Sequence, residues 1–155
     1  MIKKLSLFGV LVAVLTVVSF GGMAQGQVVF NKKSLAGKTS FAFYSKSGIF
    51  RVYKLGQVIE EKKDNSLRNG SLRFLILGPG QARIIGNNGA GKVALHRTKT
   101  SVSFVETAAF GGQHIFTVYD EWDEKAGGFR AVYIRTVHNP IANEVMRTTY
   151  KGHAK

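Results

Sequence analysis

Few groups in this 155-residue sequence have the types and spacing to do chemistry. The first is GNNGAGK at 86–92, which has the spacing G-x-x-x-x-G-K. A phosphate loop needs backbone N–H groups curled at a helix N-terminus and a Ser or Thr after the lysine. Here Val93 follows, at the start of an expected strand. The stretch therefore reads as a hairpin loop whose N–H groups and Lys92 can hold an anion loosely, not as a nucleotide site. The four histidines, His96, His114, His138 and His153, show neither H-E-x-x-H nor H-x-H spacing. His153 falls in a tail expected to fray. Asp120, Glu121, Asp123 and Glu124 flank Trp122. They do not match a calcium loop and read as a solvated hairpin tip. There is no G-x-S-x-G elbow for a serine nucleophile. There is no cysteine, so thiolate metal sites, disulfides and a Cys nucleophile are excluded. No catalytic residue, cofactor site or metal ligand is assigned.

The other chemistry is charge. Lys and Arg number 22 against 9 Asp and Glu, a formal +13, and no acid precedes Glu60. Such a body attracts anions: an acidic polymer, a lipid head group or an acidic protein surface, with nucleic acid a lesser expectation. Cations interleave with aromatics on several expected strands, giving Arg51, Lys54, Arg73, Lys92, Arg130 and Arg135 as candidate anion-binding residues. If those strands adjoin, a charged chain can run along them while rings stack beneath it. The competing reading is plain alternation, with aromatics inward and cations wet.

Those residues need strands to hold them. At 113–138, QHIFTVYDEWDEKAGGFRAVYIRTVH, two runs of β-branched and aromatic residues flank a polar turn ending in Gly-Gly. With Trp122 opposite Phe129, Glu121 meets Arg130, Val118 meets Tyr133 and Phe116 meets Arg135. Each such pair contributes about 0.2–1 kcal/mol. In that register His114 and His138 face opposite sides. Both faces carry apolar residues, so the hairpin belongs in the middle of a sheet. A second hairpin turns at Gly78-Pro79-Gly80. Further short strands are expected at 27–31, 39–44, 49–54, 57–61, 92–97, 100–106 and 144–150. The last is a possible uncovered edge.

Residues 1–24 have the form of a secretory signal peptide: Lys3 and Lys4, an apolar run at 5–20, then Gly22-Met23-Ala24. An uncleaved leader is the only route by which the chain would span a membrane. A cut after Ala24 removes two lysines and no acid, lowering +13 to +11. Residues 25–155 are then one all-β domain of about nine to eleven antiparallel strands, a barrel in preference to a two-sheet sandwich because most turns are short. The expected role is an exported, periplasmic or extracellular, non-enzymatic domain that binds an anionic partner. One alternative is a barrel carrying a small apolar molecule lined by Phe41, Phe43, Phe74, Tyr119 and Tyr133. Another is a hydrolase with an unrecognised site.

Overall fold

The computed structural model describes residues 33–86 and 93–155. The leader, the expected strand at 27–31 and most of the 86–92 loop, with Lys92, lie outside them.

The described chain is all-β, with ten antiparallel strands: β1 Ser40–Tyr44, β2 Gly48–Lys54, β3 Gln57–Asp64, β4 Arg73–Gly78, β5 Gln81–Ile85, β6 Val93–Arg97, β7 Ser101–Thr107, β8 Gln113–Asp123, β9 Gly128–Asn139 and β10 Glu144–Ala154. Eight of them follow one another around a nearly closed barrel in the order β5-β4-β1-β10-β9-β8-β7-β6. From β4 to β10 the chain simply runs up and down. β1 closes the ring by pairing β10 on one side and β4 on the other. At the remaining seam β5 and β6 lie against each other.

Eight strands leave an interior that side chains can fill. Alternation sends every second residue inward, and those residues are mostly rings. Phe41, Phe43, Phe74, Phe104 and Phe116 are all at most 2 % exposed. Phe74 stacks on Phe116 with centroids 3.6 Å apart, and Phe43 meets Phe116 edge-on at 5.4 Å. The expected lining residues Phe41, Phe43, Phe74 and Tyr133 thus pack on one another, as in a filled core.

The central hairpin has the expected neighbours on both sides, with Trp122 opposite Phe129. Beyond that pair the register differs from expectation by two residues: Val118 faces Ala131, and Phe116 faces Tyr133. The cause is a bulge at 119–121, where three residues stand opposite Arg130 alone. A two-residue shift keeps Phe116 and Val118 inside. Tyr119, next to inward Val118, falls by alternation on the outer face beneath Arg130, whose guanidinium carbon lies 3.8 Å from the ring centre. Tyr119 therefore lines no interior.

β1 and β2 do not form a hairpin with each other. Both lie along the same side of β10. β1 pairs its end, through Phe43↔Ala154 and Tyr44↔His153, and β2 pairs its beginning, from Gly48↔Tyr150 to Lys54↔Glu144. Residues 45–47 bend the chain between the two. At that bend its backbone passes so close to Gly152 that a Cβ there would lie 2.0 Å from the Tyr44 carbonyl oxygen. Ser45 satisfies the bent backbone. Its hydroxyl, a single donor, lies 2.8 Å from the Lys151 carbonyl and 3.1 Å from that of Ser47, and its N–H donates to Asn69 Oδ1 at 2.8 Å.

Beyond the bend, β2 and β3 extend the sheet past the barrel. β3 runs three residues further than its apolar pattern, to Asp64, because β2 supplies a paired partner as far as Gly48. The expected edge at 144–150 is covered on both sides, by β9 and β2. Among the described residues β3 has an uncovered edge, and its Glu60-Glu61-Lys62-Lys63-Asp64 run guards it with charge.

Replacing Gly152 by Ala drives a methyl into backbone that cannot step aside. Urea unfolding is expected to show a loss of about 1–3 kcal/mol. Gly78→Ala, whose Cβ would meet nothing nearer than 3.9 Å, serves as the mild control.

Candidate functional site

The bend at 45–47 also opens a surface cleft. On β10 the inward row is Thr148, Tyr150, Gly152 and Ala154, so Lys151 and His153 face out. Tyr44 stands beside them from β1, Lys46 and Ser47 come from the bend, and Asn69 comes from the loop leading to β4. Together with Lys155 they line a cleft of about 410 Å³. Tyr44 is 36 % exposed, and the Lys155 ammonium lies 5.2 Å from its ring centre. Lys46, Lys151 and Lys155 form no ion pair among the described residues. Three unneutralised amines on a concave surface concentrate a positive field there. The nearby acid is engaged: Asp123 accepts from the Ala126 N–H at 3.0 Å and from His153 Nε2 at 3.1 Å. The Ala126 N–H, with help from His153, holds the Asp123 carboxyl below the usual range. His153 is thus held in β10 rather than in a frayed tail, because β1 and β9 pair that strand to its end.

The residues expected to bind anions are not brought together. Arg51 is tied to Glu61 at 2.6 Å, and Lys54 to Glu144 at 3.5 Å. Arg130 forks onto Glu121, Nη2 donating to Oε1 at 2.7 Å, so the expected charge pair forms across the bulge. Arg73 is exposed on the outer face of β4. Arg135 alone is on the inward row of β9, at the end of the barrel. Their period-2 interleaving with aromatics is strand alternation. It says nothing about which strands adjoin. The lysine cleft had a sequence signal of its own, Tyr-x-Lys at 44–46 and Lys-x-His-x-Lys at 151–155. Reading the C-terminus as a tail concealed it.

The histidines take structural positions. His114 is buried, with Nδ1 3.0 Å from Oε2 of Glu106, its cross-strand neighbour on β7. His138 stands opposite Val145 and is exposed. Among the described residues no three His, Asp or Glu side chains gather as a metal group. The acidic tip is likewise engaged: Asp120 Oδ1 accepts from the Leu35 N–H at 2.9 Å, and Glu121 and Asp123 are bonded as above.

A second, smaller cleft of about 210 Å³ opens at the barrel end beside Ser66, Tyr133, Arg135 and Tyr150. Tyr150 donates its hydroxyl to Asp64 Oδ2 at 2.7 Å, and Ser66 Oγ lies 3.1 Å from the same hydroxyl. Burial pushes the Asp64 carboxyl up. The Ser66 N–H and the Tyr150 hydroxyl outweigh it, with Arg135 helping, so Asp64 sits below the usual carboxylate range. Burial pushes the Tyr133 phenol up to about 12.

Comparison with known protein families, with curated proteins and with solved structures finds no match to this chain.

The raised Tyr133 value has a measurable consequence. The folded state favours the neutral phenol, so this contribution to stability is complete below the ordinary value of 10.0 and is lost as pH rises through about 12. An ultraviolet difference titration of the five tyrosines is expected to show a late step, which Tyr133→Phe removes.

Proposed function

We propose that this protein is an exported, non-enzymatic β-barrel that binds an acidic polysaccharide in the cleft between Tyr44, Lys46, Lys151 and Lys155. Export rests on the form of residues 1–24. The observation that carries the binding reading is the set of three amines, with no acid partner among the described residues, around one half-exposed tyrosine. Carboxylate or sulfate groups along a polymer would meet the amines. A sugar ring would lie on the tyrosine face, and Asn69 and Ser47 offer hydrogen bonds to hydroxyls. The large exposed aliphatics Leu55 and Ile141 occur in the β2–β3 and β9–β10 turns rather than around this cleft. A concave, lysine-rimmed surface without an apolar border suits a polymer strand better than a flat membrane. The excess of basic residues over the whole chain adds a long-range attraction of the same sign.

The test is binding to an immobilised polyuronate, with a neutral glucan for comparison. Retention is expected on the polyuronate alone. It should weaken by about tenfold or more between low and high salt, because exposed charge contacts are screened over about 10 Å at 0.1 M. Changing Lys46, Lys151 and Lys155 together to Gln is expected to cost at least about tenfold in affinity, each amine contributing up to about 1 kcal/mol. Lys62→Gln, an exposed lysine already paired with Glu60, leaves binding unchanged. Equal retention on the neutral glucan, or binding only to anionic vesicles or acidic proteins, overturns the reading.

A further inference from the structure

The barrel-end cleft is built differently from the lysine cleft, and it has features that the fold alone does not require. The inward row of β9 runs Phe129, Ala131, Tyr133, Arg135. The first three are at most 3 % exposed, and the fourth places a guanidinium at the end of the same row. Its lateral neighbours are His114 on β8 and Thr148 on β10, both buried. Arg135 makes no ion pair among the described residues. Beside it Tyr133 is 3 % exposed and lines the cleft, and its hydroxyl has no hydrogen-bond partner among the described residues. A hydroxyl donor and a guanidinium without an ion pair on the wall of one cleft offer a ligand acceptor its partners.

The remaining walls define what accompanies that acceptor. The Tyr150 hydroxyl, Ser66 Oγ and the Asp64 carboxylate form one hydrogen-bonded chain at 2.7 and 3.1 Å. Asp64 is an acceptor, so a fully anionic ligand such as phosphate meets repulsion on that side. A ligand with one carboxylate on a hydroxylated body meets Arg135 and Tyr133 with the first and the Asp64–Tyr150–Ser66 chain with the second. The volume, about 210 Å³, is below the usual range for drug-sized ligands, about 300–1,000 Å³. Glu106, which pairs with His114 behind Tyr133, is 2 % exposed and leaves the cation facing the opening to Arg135.

We propose that the barrel-end cleft is a second binding site, taking a small hydroxylated carboxylic acid of about the size of one uronic acid residue between Arg135, Tyr133 and the Tyr150–Ser66 pair. It does not depend on the lysine cleft.

The experiment titrates the protein with glucuronate, with glucose and inorganic phosphate as comparators, following backbone amide shifts. Saturable shifts are expected at residues of β9 and β10 around Arg135 with glucuronate only. Tyr133→Phe, which keeps the ring in the core, is expected to weaken glucuronate about fivefold, the value of one hydrogen bond. Arg135→Gln is expected to weaken it at least about tenfold. Tyr119→Phe, on the outer face, leaves it unchanged. Thermal unfolding of each variant shows that the loss is local. Glucose binding as well as glucuronate would remove the role given to Arg135. Phosphate binding equally would reduce the site to a simple anion hole. Shifts confined to Tyr44, Lys46, Lys151 and Lys155 would assign glucuronate to the other cleft. Absence of saturable shifts with any of the three probes would dismiss the site. Each of these results overturns the proposal.

Discussion

The close passage of the Tyr44–Ser45 backbone over Gly152 is the constraint on which the rest of the molecule depends. With no Cβ at Gly152, the chain can bend at 45–47 while still lying along β10. One strand, β10, is thereby shared end to end by β1 and β2. β1 then pairs β4 and closes the barrel, while β2 leads out to β3. The bend exposes Lys46 beside Lys151 and Lys155. The divergence of β2 and β3 from the barrel brings Asp64 and Ser66 to Tyr150 at the barrel end. Both clefts are consequences of the same crossing.

The interior explains why binding is sought at the surface. Five phenylalanines in mutual ring contact fill the space that eight strands enclose. Each large ring removes apolar area from water at about 25 cal/mol per Å², and edge-on or offset contacts add to that. Polar groups are displaced to the ends and the outside. Several are then consumed by structure: Arg51 by Glu61, Arg130 by Glu121, His114 by Glu106 and His153 by Asp123. Among the cations that form no ion pair, Lys46, Lys151 and Lys155 line the outer cleft and Arg135 lines the cleft at the barrel end. Other cations such as Arg73 and Arg83 also lack an acid partner among the described residues, so the informative ones are those that a cleft gathers.

Much of the scaffold was legible. The 113–138 hairpin, its Trp122–Phe129 pair and the Glu121–Arg130 bridge follow from alternation and turn chemistry, which are local. So does the Gly78-Pro79-Gly80 hairpin. The site was much less legible. Arg51, Lys54 and Arg130 have the same interleaved pattern as an anion-binding face, yet each meets an acid from a neighbouring strand. Tyr119 alternates with inward Phe116 and Val118 and so faces outward, where it carries Arg130 instead of lining the interior.

By itself the sequence determined an all-β chain, its principal hairpins, the inward rows of aromatics and the net positive charge. All of these arise from residue type and period-2 spacing along one strand. Tertiary structure alone decided that β1 and β2 share β10 and, among the described residues, that β3 has an open edge and which cations remain unpaired. Those outcomes depend on which strands lie side by side, a matter of long-range closure and of whether one residue, Gly152, leaves room for a second backbone.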